Sequence, residues 1–381
     1  MKIISPLLIT ALALSALTGS AAARSRHRAP SSETTLEQAP QPSLPPPNDT
    51  ARFLAGMPIS SNSPLAPLTH DPAWQEHSAF FEKAFTKLNT QKLEKLRTWQ
   101  RSYLPESRGS IPVAYYMFSG PDFLYVDQFF PNASVYIMCG KESMGPPPDP
   151  LHLNSLSGAL HNLENAMYSS LTTSYFITKD MRVDLQQQNL NGTLPILYVF
   201  LARAGKNITD VTFISLDHGG GVHEGRPGAG GTPGVRINYR DSAFGHSQTL
   251  YYFTTDISDG GISANPGFMN FCQHFGVGSS FLKSSSYLMF ENGFAKVRNF
   301  ILDHSQLIVQ DDSGIPLANF NRSKWNLRLF GTYVGPIELF KEHDQPELKE
   351  LFQKSNPPPF PVGFGYQWNY QKSNLIAAQR N

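Results

Sequence analysis

The chain has 381 residues, of which 40% are hydrophobic and 16% are charged, and its formal net charge at pH 7 is +1. This composition is typical of a folded protein with a substantial core, and the length allows one large domain or two ordinary ones. A net charge near zero without a basic stripe argues against nucleic acid as the main partner. The candidate site described below predicts a small-molecule substrate or ligand instead.

The first residues have the pattern of a secretory signal peptide. Lys2 supplies a positive charge, residues 3–17 form an apolar run, and residues 20–23 are small enough for a cleavage site. The apolar run is shorter than the roughly 18 residues that a membrane-spanning helix needs, which favours cleavage over a membrane anchor. The pattern predicts a signal peptide over 1–23, a secreted or periplasmic protein, and no transmembrane span in the mature chain.

Residues 24–50 are polar and rich in proline, which predicts a disordered linker because such a segment buries too little apolar surface to offset the entropy of ordering. Residues 51–381 are expected to form a single α/β domain, or two closely packed subdomains. Cys139 and Cys272 both lie in apolar surroundings, which favours two buried thiols over a disulfide.

Segments with strand and helix patterns alternate along the domain, which predicts an α/β fold. The fold class that we expect is a mixed, largely parallel sheet flanked by helices, with an inserted β-hairpin between 235 and 255. In chain order, the predicted elements are a helix over 71–103, a strand over 112–118, a short helix, a strand over 134–139, helices over 151–177 and 180–188, an apolar run over 194–204 that fits either a strand or a helix, a strand over 211–216, a loop over 225–234, strands over 235–239 and 249–255, a helix over 265–275, a helix in the second half of 286–304, a strand over 307–309, an apolar segment over 325–330 and a helix over 344–354.

Acidic residues recur where these predicted strands end. If the strands are parallel neighbours, their acids gather along one edge of the sheet, where carboxylates raise one another's pKa or bind cations. The alternative is that each acid caps a helix or closes a turn. The acids concerned are Asp122, Glu142, Asp217, Asp256, Asp311 and Asp312.

The segment 217–224 is the strongest candidate site, because it follows a β-branched apolar run, and α/β sheets bind ligands beyond the carboxyl ends of their strands. Asp217, His218 and His223 have the side chains that a divalent metal ion prefers, and Glu224 would then act as a general base on a metal-activated water. His218, Asp122 and Asp311 complete the predicted catalytic set. Backbone N–H groups of Gly219, Gly220 and Gly221, together with Asp256, form the predicted ligand-binding set.

Two short segments resemble serine-hydrolase motifs. Residues 218–221 resemble the oxyanion motif of some lipases and esterases, and residues 245–248 resemble the start of a nucleophile elbow. Against this, the fifth elbow position is Thr249 instead of glycine, and the residues that follow alternate like a strand where the elbow requires a helix. A triad of this kind would use Ser247 as nucleophile, with Asp256 or Asp259 as the acid and His274 or His304 as the base.

The clustered acids and imidazoles favour a hydrolase that acts on a small polar or carbohydrate-like substrate, with or without a metal ion. The alternative hypothesis is a non-catalytic ligand-binding or envelope-associated protein, because the chain contains a proline-rich linker and no specific catalytic motif.

Overall fold

The computed structural model describes residues 44–173, 175, 190–225, 230–242, 245–369 and 373–381. The predicted signal peptide over 1–23, most of the predicted linker and the predicted helix over 180–188 lie outside the described residues. The last part of the predicted linker, however, belongs to the domain. A helix begins at Pro47, and it packs onto the domain: Thr50 and Ala51 are buried, and the Asn48 side chain accepts a 3.0 Å hydrogen bond from the Ile208 N–H.

The described strands form one ten-stranded sheet with the order β4-β3-β5-β6-β2-β1-β7-β8-β10-β9. The strands are β1 Ile111–Tyr116, β2 Ala133–Gly140, β3 Lys206–Leu216, β4 Val222–Glu224, β5 Thr232–Asp241, β6 Ser247–Thr254, β7 Gly278–Leu282, β8 Ser305–Gln310, β9 Trp325–Gly331 and β10 Asn374–Arg380.

The sheet is flanked by α-helices and connected by short 3₁₀ turns. The helices are α1 Pro47–Leu54, α2 Pro72–Leu88, α3 Glu94–Tyr103, α4 Phe123–Phe129, α5 Leu156–Thr173, α6 Leu194–Arg203, α7 Asp259–Ala264, α8 Gly267–His274, α9 Ala295–His304 and α10 Pro346–Ser355. A π-helical turn, Asn89–Leu93, joins α2 to α3. The 3₁₀ turns are Ala66–His70, Pro105–Arg108, Pro150–His152, Leu288–Phe290, Asn292–Phe294, Leu317–Asn319, Glu338–His343 and Gly365–Gln367.

The centre of the sheet is parallel and its two ends are antiparallel. β6, β2, β1, β7 and β8 run in one direction, β5 pairs antiparallel with both β6 and β3, and β10 pairs antiparallel with both β8 and β9. The predicted α/β class is confirmed, including the hairpin, whose strands are β5 and β6. The loop predicted over 225–234 is shorter than expected, because β5 already begins at Thr232.

The five parallel strands have the spatial order third, second, first, fourth, fifth when they are numbered along the chain. This is the order of Rossmann-type folds, in which the chain adds strands on one side of the first strand and then returns to add strands on its other side. The reversal places a switch point between β1 and β7, and ligands in such sheets bind outside the carboxyl ends of the strands there.

Helices cover both faces of the parallel centre, as expected for a doubly wound sheet. Side chains of β1 alternate between two cores: Ala114 and Tyr116 pack with α1 to α6, whereas Val113 and Tyr115 pack with α7 to α9. A third, smaller core joins α10 to β9 and β10. In the described part of the chain, no helix has both the length and the apolar character that crossing a bilayer requires.

Three strands, β4, β7 and β10, were not predicted, and the apolar segment over 325–330 is the strand β9. The ambiguous run over 194–204 is the helix α6. β7 has the sequence Gly-Ser-Ser-Phe-Leu, which has little intrinsic strand preference, yet all five of its residues are buried between β1 and β8. β10 lies between β8 and β9 and is likewise held by pairing on both sides. In both cases, tertiary contacts outweigh the local preference of the residues.

Candidate functional site

A cavity of about 400 Å³ opens at the carboxyl ends of the parallel strands, at the switch point. Its size is within the range of roughly 300–1,000 Å³ that is usual for small-molecule sites. The lining comes from residues 116–122 at the end of β1, 139–142 at the end of β2, 255 and 257 after β6, and 283–286 after β7, with further contributions from Leu288, Phe294, Tyr175 and Tyr366.

A buried ion pair lies in the lining of this cavity. Lys283 Nζ is 2.5 Å from Asp122 Oδ2, and both side chains are at most 3% exposed. The Tyr116 hydroxyl donates a 3.0 Å hydrogen bond to the same oxygen, and Lys283 Nζ lies 4.0 Å from the centre of the Tyr125 ring. Burial raises the pKa of Asp122, and the charge of Lys283 opposes this rise. The cavity therefore contains a carboxylate whose charge is balanced within the protein.

Asp122 immediately precedes the short helix α4, so its position follows from the tight turn after β1. Gly120 in this turn has φ +50°, which a glycine adopts without strain. Asp122 Oδ1 is buried in the cavity wall, and the backbone N–H of Tyr125, in the first turn of α4, lowers the pKa of this carboxyl by hydrogen bonding. The carboxyl group is therefore held by Lys283, Tyr116 and the start of α4.

The loop after β7 is held in a strained conformation. Ser284, Ser286 and Tyr287 have φ values of +52°, +53° and +53°, which are uncommon for residues with a Cβ atom. Strained backbone persists where the surrounding structure holds it, and it is concentrated at functional sites. The buried hydroxyls of Ser284 and Ser285 have no hydrogen-bond partner among the described residues, and both serines line the cavity.

Asp311 and Asp312, which are not in the cavity lining, accept hydrogen bonds from this loop. Asp311 Oδ2 accepts a 2.9 Å hydrogen bond from the Ser284 N–H, and Asp312 Oδ2 accepts a 2.7 Å hydrogen bond from the Tyr287 hydroxyl. Burial, reinforced by the charge of Asp312, raises the pKa of Asp311 to about 7, whereas hydrogen bonds from Ser313 and Ser284 lower it. A side chain at Gly365 would overlap the Asp311 carboxylate. Asp311, a predicted catalytic residue, thus lies outside the cavity lining and positions residues that belong to it.

The acids after β2 and β6 lie at or near the rim of the cavity. Glu142 belongs to the lining, and its neighbour Lys141 forms a 3.1 Å ion pair with Asp256. Both side chains of that pair are substantially exposed, at 67% and 44%. The hydrogen bond from the Ser258 N–H lowers the pKa of Asp256 most, and the contact with Lys141 lowers it further. The predicted ligand-binding residue Asp256 therefore stabilises the rim and the following turn.

The segment 217–224, the strongest candidate in the sequence, lies away from this cavity. β3 runs in the same direction as β6, because both pair antiparallel with β5, so Asp217 lies at the expected edge of the sheet but beyond β5. His223 Nε2 is 2.8 Å from Asp217 Oδ2, with side chains 62% and 49% exposed. The hydrogen bond from His223, together with that from the Gly221 N–H, lowers the pKa of Asp217. Asp217 closes the turn of an exposed hairpin.

The predicted metal ligands do not come together. In the described ranges, no group of three or more His, Cys, Asp or Glu side chains is arranged to hold a metal ion. Asp217 contacts His223, whereas His218 is exposed and its carbonyl accepts a 2.7 Å hydrogen bond from Asn270. The predicted base Glu224 forms a 3.2 Å ion pair with Arg236.

The glycines of this hairpin serve packing. Gly220 has φ +85°, and a side chain there would overlap the backbone of Phe271 in α8. A side chain at Gly221 would overlap the carboxylate of Asp217, and one at Gly219 would be in close contact with it. Close approach of backbone and side chains therefore explains the three consecutive glycines.

The serine-hydrolase arrangement is not assembled either. Ser247 begins β6 at the amino edge of the sheet and a strand follows it, so the strand-turn-helix of a nucleophile elbow is not formed. His274 and His304 precede β7 and β8 and lie at that same edge, whereas Asp256 and Asp259 follow β6 at the opposite edge. The candidate acids are thus separated from the candidate nucleophile and bases by the length of the strands.

Comparisons with protein-family models, with curated protein sequences and with solved structures found no significant match. The strand order and the cavity are therefore the basis for a functional conclusion. Rossmann sites for dinucleotides use three glycines in the turn after the first strand, two of which let the pyrophosphate and helix approach closely. The corresponding turn here, residues 118–122, contains only Gly120, and Asp122 stands at the N-terminus of α4. These residues do not fit a pyrophosphate.

Proposed function

We propose that the switch-point cavity binds a small polar ligand of the nucleoside type. The observation that carries this proposal is the position of Glu142 in the lining of a cavity at the switch point of a Rossmann-ordered sheet. Glu142 follows the second parallel strand, about 20 residues after Gly120, which is where an acid binds the ribose hydroxyls in Rossmann folds.

The charges of the cavity favour a ligand without a diphosphate. Asp122 places a carboxylate at the N-terminus of α4, where a pyrophosphate would otherwise accept hydrogen bonds from backbone N–H groups. Lys283 balances that carboxylate. The apolar lining residues Phe118, Ile257 and Phe294 provide surface for a base, while the serines after β7 offer hydroxyls to polar groups of the ligand.

Equilibrium binding of adenosine, guanosine, cytidine and uridine tests this proposal, with each 2′-deoxynucleoside as a comparison. We expect at least one ribonucleoside to bind more tightly than its deoxy form, and Glu142→Gln to weaken that binding by about tenfold, the usual loss for a hydrogen bond to a charged group. Glu347→Gln, a substitution of an exposed acid on α10, should bind like the wild type. If no ribonucleoside binds, or if Glu142→Gln has no effect, the proposal fails.

A second candidate is catalysis in the same cavity. Asp122 is a buried carboxyl whose pKa is raised by burial, and groups perturbed in this way inside a cavity are candidates for proton transfer. We propose Asp122, in place of the exposed Glu224, as the acid or base of a hydrolase that acts on a small polar substrate. Profiling wild type and Asp122→Asn against small esters, glycosides and nucleosides tests this. Turnover that is lost in the variant supports the enzyme, whereas binding without turnover in the wild type supports a ligand-binding protein.

We also propose that the protein is exported, on the grounds of residues 1–23 alone. N-terminal sequencing of protein recovered outside the cytoplasm should find a new N-terminus after Ala23 or a neighbouring small residue. Retention of Met1 in all of the recovered protein would contradict export by this route.

A further inference from the structure

A second cavity, of about 580 Å³, opens at the opposite, amino edge of the parallel strands. Its walls come from α2, the π-helical turn, α3, α4 and the connection between α6 and β3, and every residue of its lining is described. Cationic residues dominate the charge of this lining. They are Arg97, Arg101, Arg108, Arg203 and Lys206, whereas the acids are Asp127 and Asp241.

Two of the five cations form ion pairs within the protein, and because Lys206 is paired with two carboxylates, its cluster has one excess negative charge. Lys206 Nζ lies 2.9 Å from Asp127 Oδ1 and 2.6 Å from Asp241 Oδ2, so both acids of the lining are occupied by one lysine. Arg203 forms a 2.7 Å ion pair with Glu82.

The other three cations, Arg97, Arg101 and Arg108, have no described carboxylate within 4.0 Å. Arg97 instead donates hydrogen bonds to two neutral amides, 3.0 Å to Gln128 Oε1 and 2.6 Å to Asn89 Oδ1. Neutral acceptors fix the direction of the guanidinium without cancelling its charge. The cavity thus keeps three arginine charges in its lining.

Burial and mutual repulsion both disfavour the charged form of these arginines. Burial lowers the pKa of the Arg97 guanidinium; the nearby charge of Arg101 acts in the same direction, and Glu94 and Asp127 act against it. Like charges that share a cavity repel one another, and an anion between them would remove that repulsion.

We propose that this cavity is a binding site for a phosphate-bearing anion. The planar guanidinium group forms paired hydrogen bonds with phosphate oxygens, and three such groups suit a ligand with more than one negative charge. The volume of the cavity, about 580 Å³, is in the range of organic ligands, which points to an organic phosphate or a pyrophosphate in preference to a single small ion. This site is separate from the switch-point cavity and does not depend on the function proposed for it.

Calorimetric titration of the full chain with inorganic pyrophosphate tests the proposal. We expect saturable binding that weakens as ionic strength rises, because salt screens the attraction between charges. Arg101→Gln should bind about tenfold more weakly, as expected when one charge-assisted hydrogen bond is lost. Arg101 is exposed, and among the described residues its guanidinium donates one hydrogen bond, of 3.3 Å to the Thr98 hydroxyl, so this substitution should leave the fold intact.

Arg322→Gln is the matched control, since Arg322 is exposed, lies outside this cavity and forms no ion pair with a described residue. It should bind pyrophosphate like the wild type. Arg97→Gln and Arg108→Gln should weaken binding at least as much as Arg101→Gln, and saturating nucleoside should not compete. Absence of saturable pyrophosphate binding, or equal affinity in the three arginine variants and the wild type, would overturn the proposal.

Discussion

The Asp122–Lys283 pair illustrates how single residues determine the character of the switch-point cavity. Removing two charges from water is expensive, and an apolar pair of similar volume is often at least as stable. The pair therefore contributes little to stability as a whole, but each partner depends on the other. Because Asp122 also accepts from the Tyr116 hydroxyl, the pair fixes polar atoms in a wall that is otherwise partly apolar.

Lys283→Met should destabilise the protein by about 3–5 kcal/mol at neutral pH, because it leaves the Asp122 charge buried without a counter-ion. The loss should be smaller at acidic pH. An acid whose pKa is higher in the folded state than in the unfolded state binds more protons when folded, so the free energy of unfolding falls as the pH rises. Denaturant unfolding of the variant and the wild type at several pH values measures both effects.

The double variant Lys283→Met/Asp122→Asn should recover part of that loss, since no buried charge remains. Lys141→Met provides the matched control: its ion pair with Asp256 is exposed, so its effect should be below about 1 kcal/mol. Equal destabilisation by Lys283→Met with and without Asp122→Asn would show that the lysine acts through packing and not through the carboxylate.

At the scale of elements, the loop after β7 forms one wall of the switch-point cavity, because Lys283 and the three serines after it belong to the lining. Sequence reasoning missed it, because β7 lacks both alternation and β-branched residues and is defined only by pairing with β1 and β8. Without β7, Lys283 and the serines that follow it could not be assigned to a strand end. A lysine after a short Ser-Phe-Leu run gives no local signal of its own, so only the non-local pairing reveals it.

Ser284→Gly should raise the free energy of unfolding by up to about 1 kcal/mol, because glycine adopts the φ of +52° at this position without the penalty of a Cβ atom. Ser284→Ala is the matched comparison, since it removes the same hydroxyl but keeps the Cβ atom and the strain. Denaturant unfolding should therefore rank glycine above both serine and alanine, whereas both variants should bind a cavity ligand more weakly. A glycine variant less stable than the alanine variant would contradict a strained loop.

For the whole molecule, the sequence predicted the fold class and several acids at the carboxyl edge of the strands, where the switch-point cavity opens, but not the positions of these acids along that edge. Asp122, Glu142, Asp256 and Asp311 follow parallel strands, as expected, and Asp122 and Glu142 line the cavity. Periodicity identifies strands without giving their order, and order alone decides which strand ends are neighbours. The 217–224 segment was favoured because of its residue types, yet β5 separates it from the parallel centre.

The accessibility of the two cysteine thiols measures how much of the domain must open to expose its core. Cys139 in β2 and Cys272 in α8 are both free and buried in the same core, and burial raises the pKa of each thiol above its usual range. Thiolate is the reactive form, so both residues should resist a maleimide reagent in the native state. Because they lie on a central strand and on a helix packed against it, exposing either one should require an opening close to global unfolding.

We therefore expect both cysteines to be labelled at the same slow rate in water, and that rate should rise with denaturant in parallel with global unfolding. Mass spectrometry after timed labelling measures each site separately. Ser102→Cys, which places a thiol on the exposed end of α3, should be labelled at once and provides the control for reagent activity. Early labelling of Cys272 alone would show that α7 to α9 open as a separate unit. In that case, the helices that cover one face of the parallel strands would be mobile independently of the sheet.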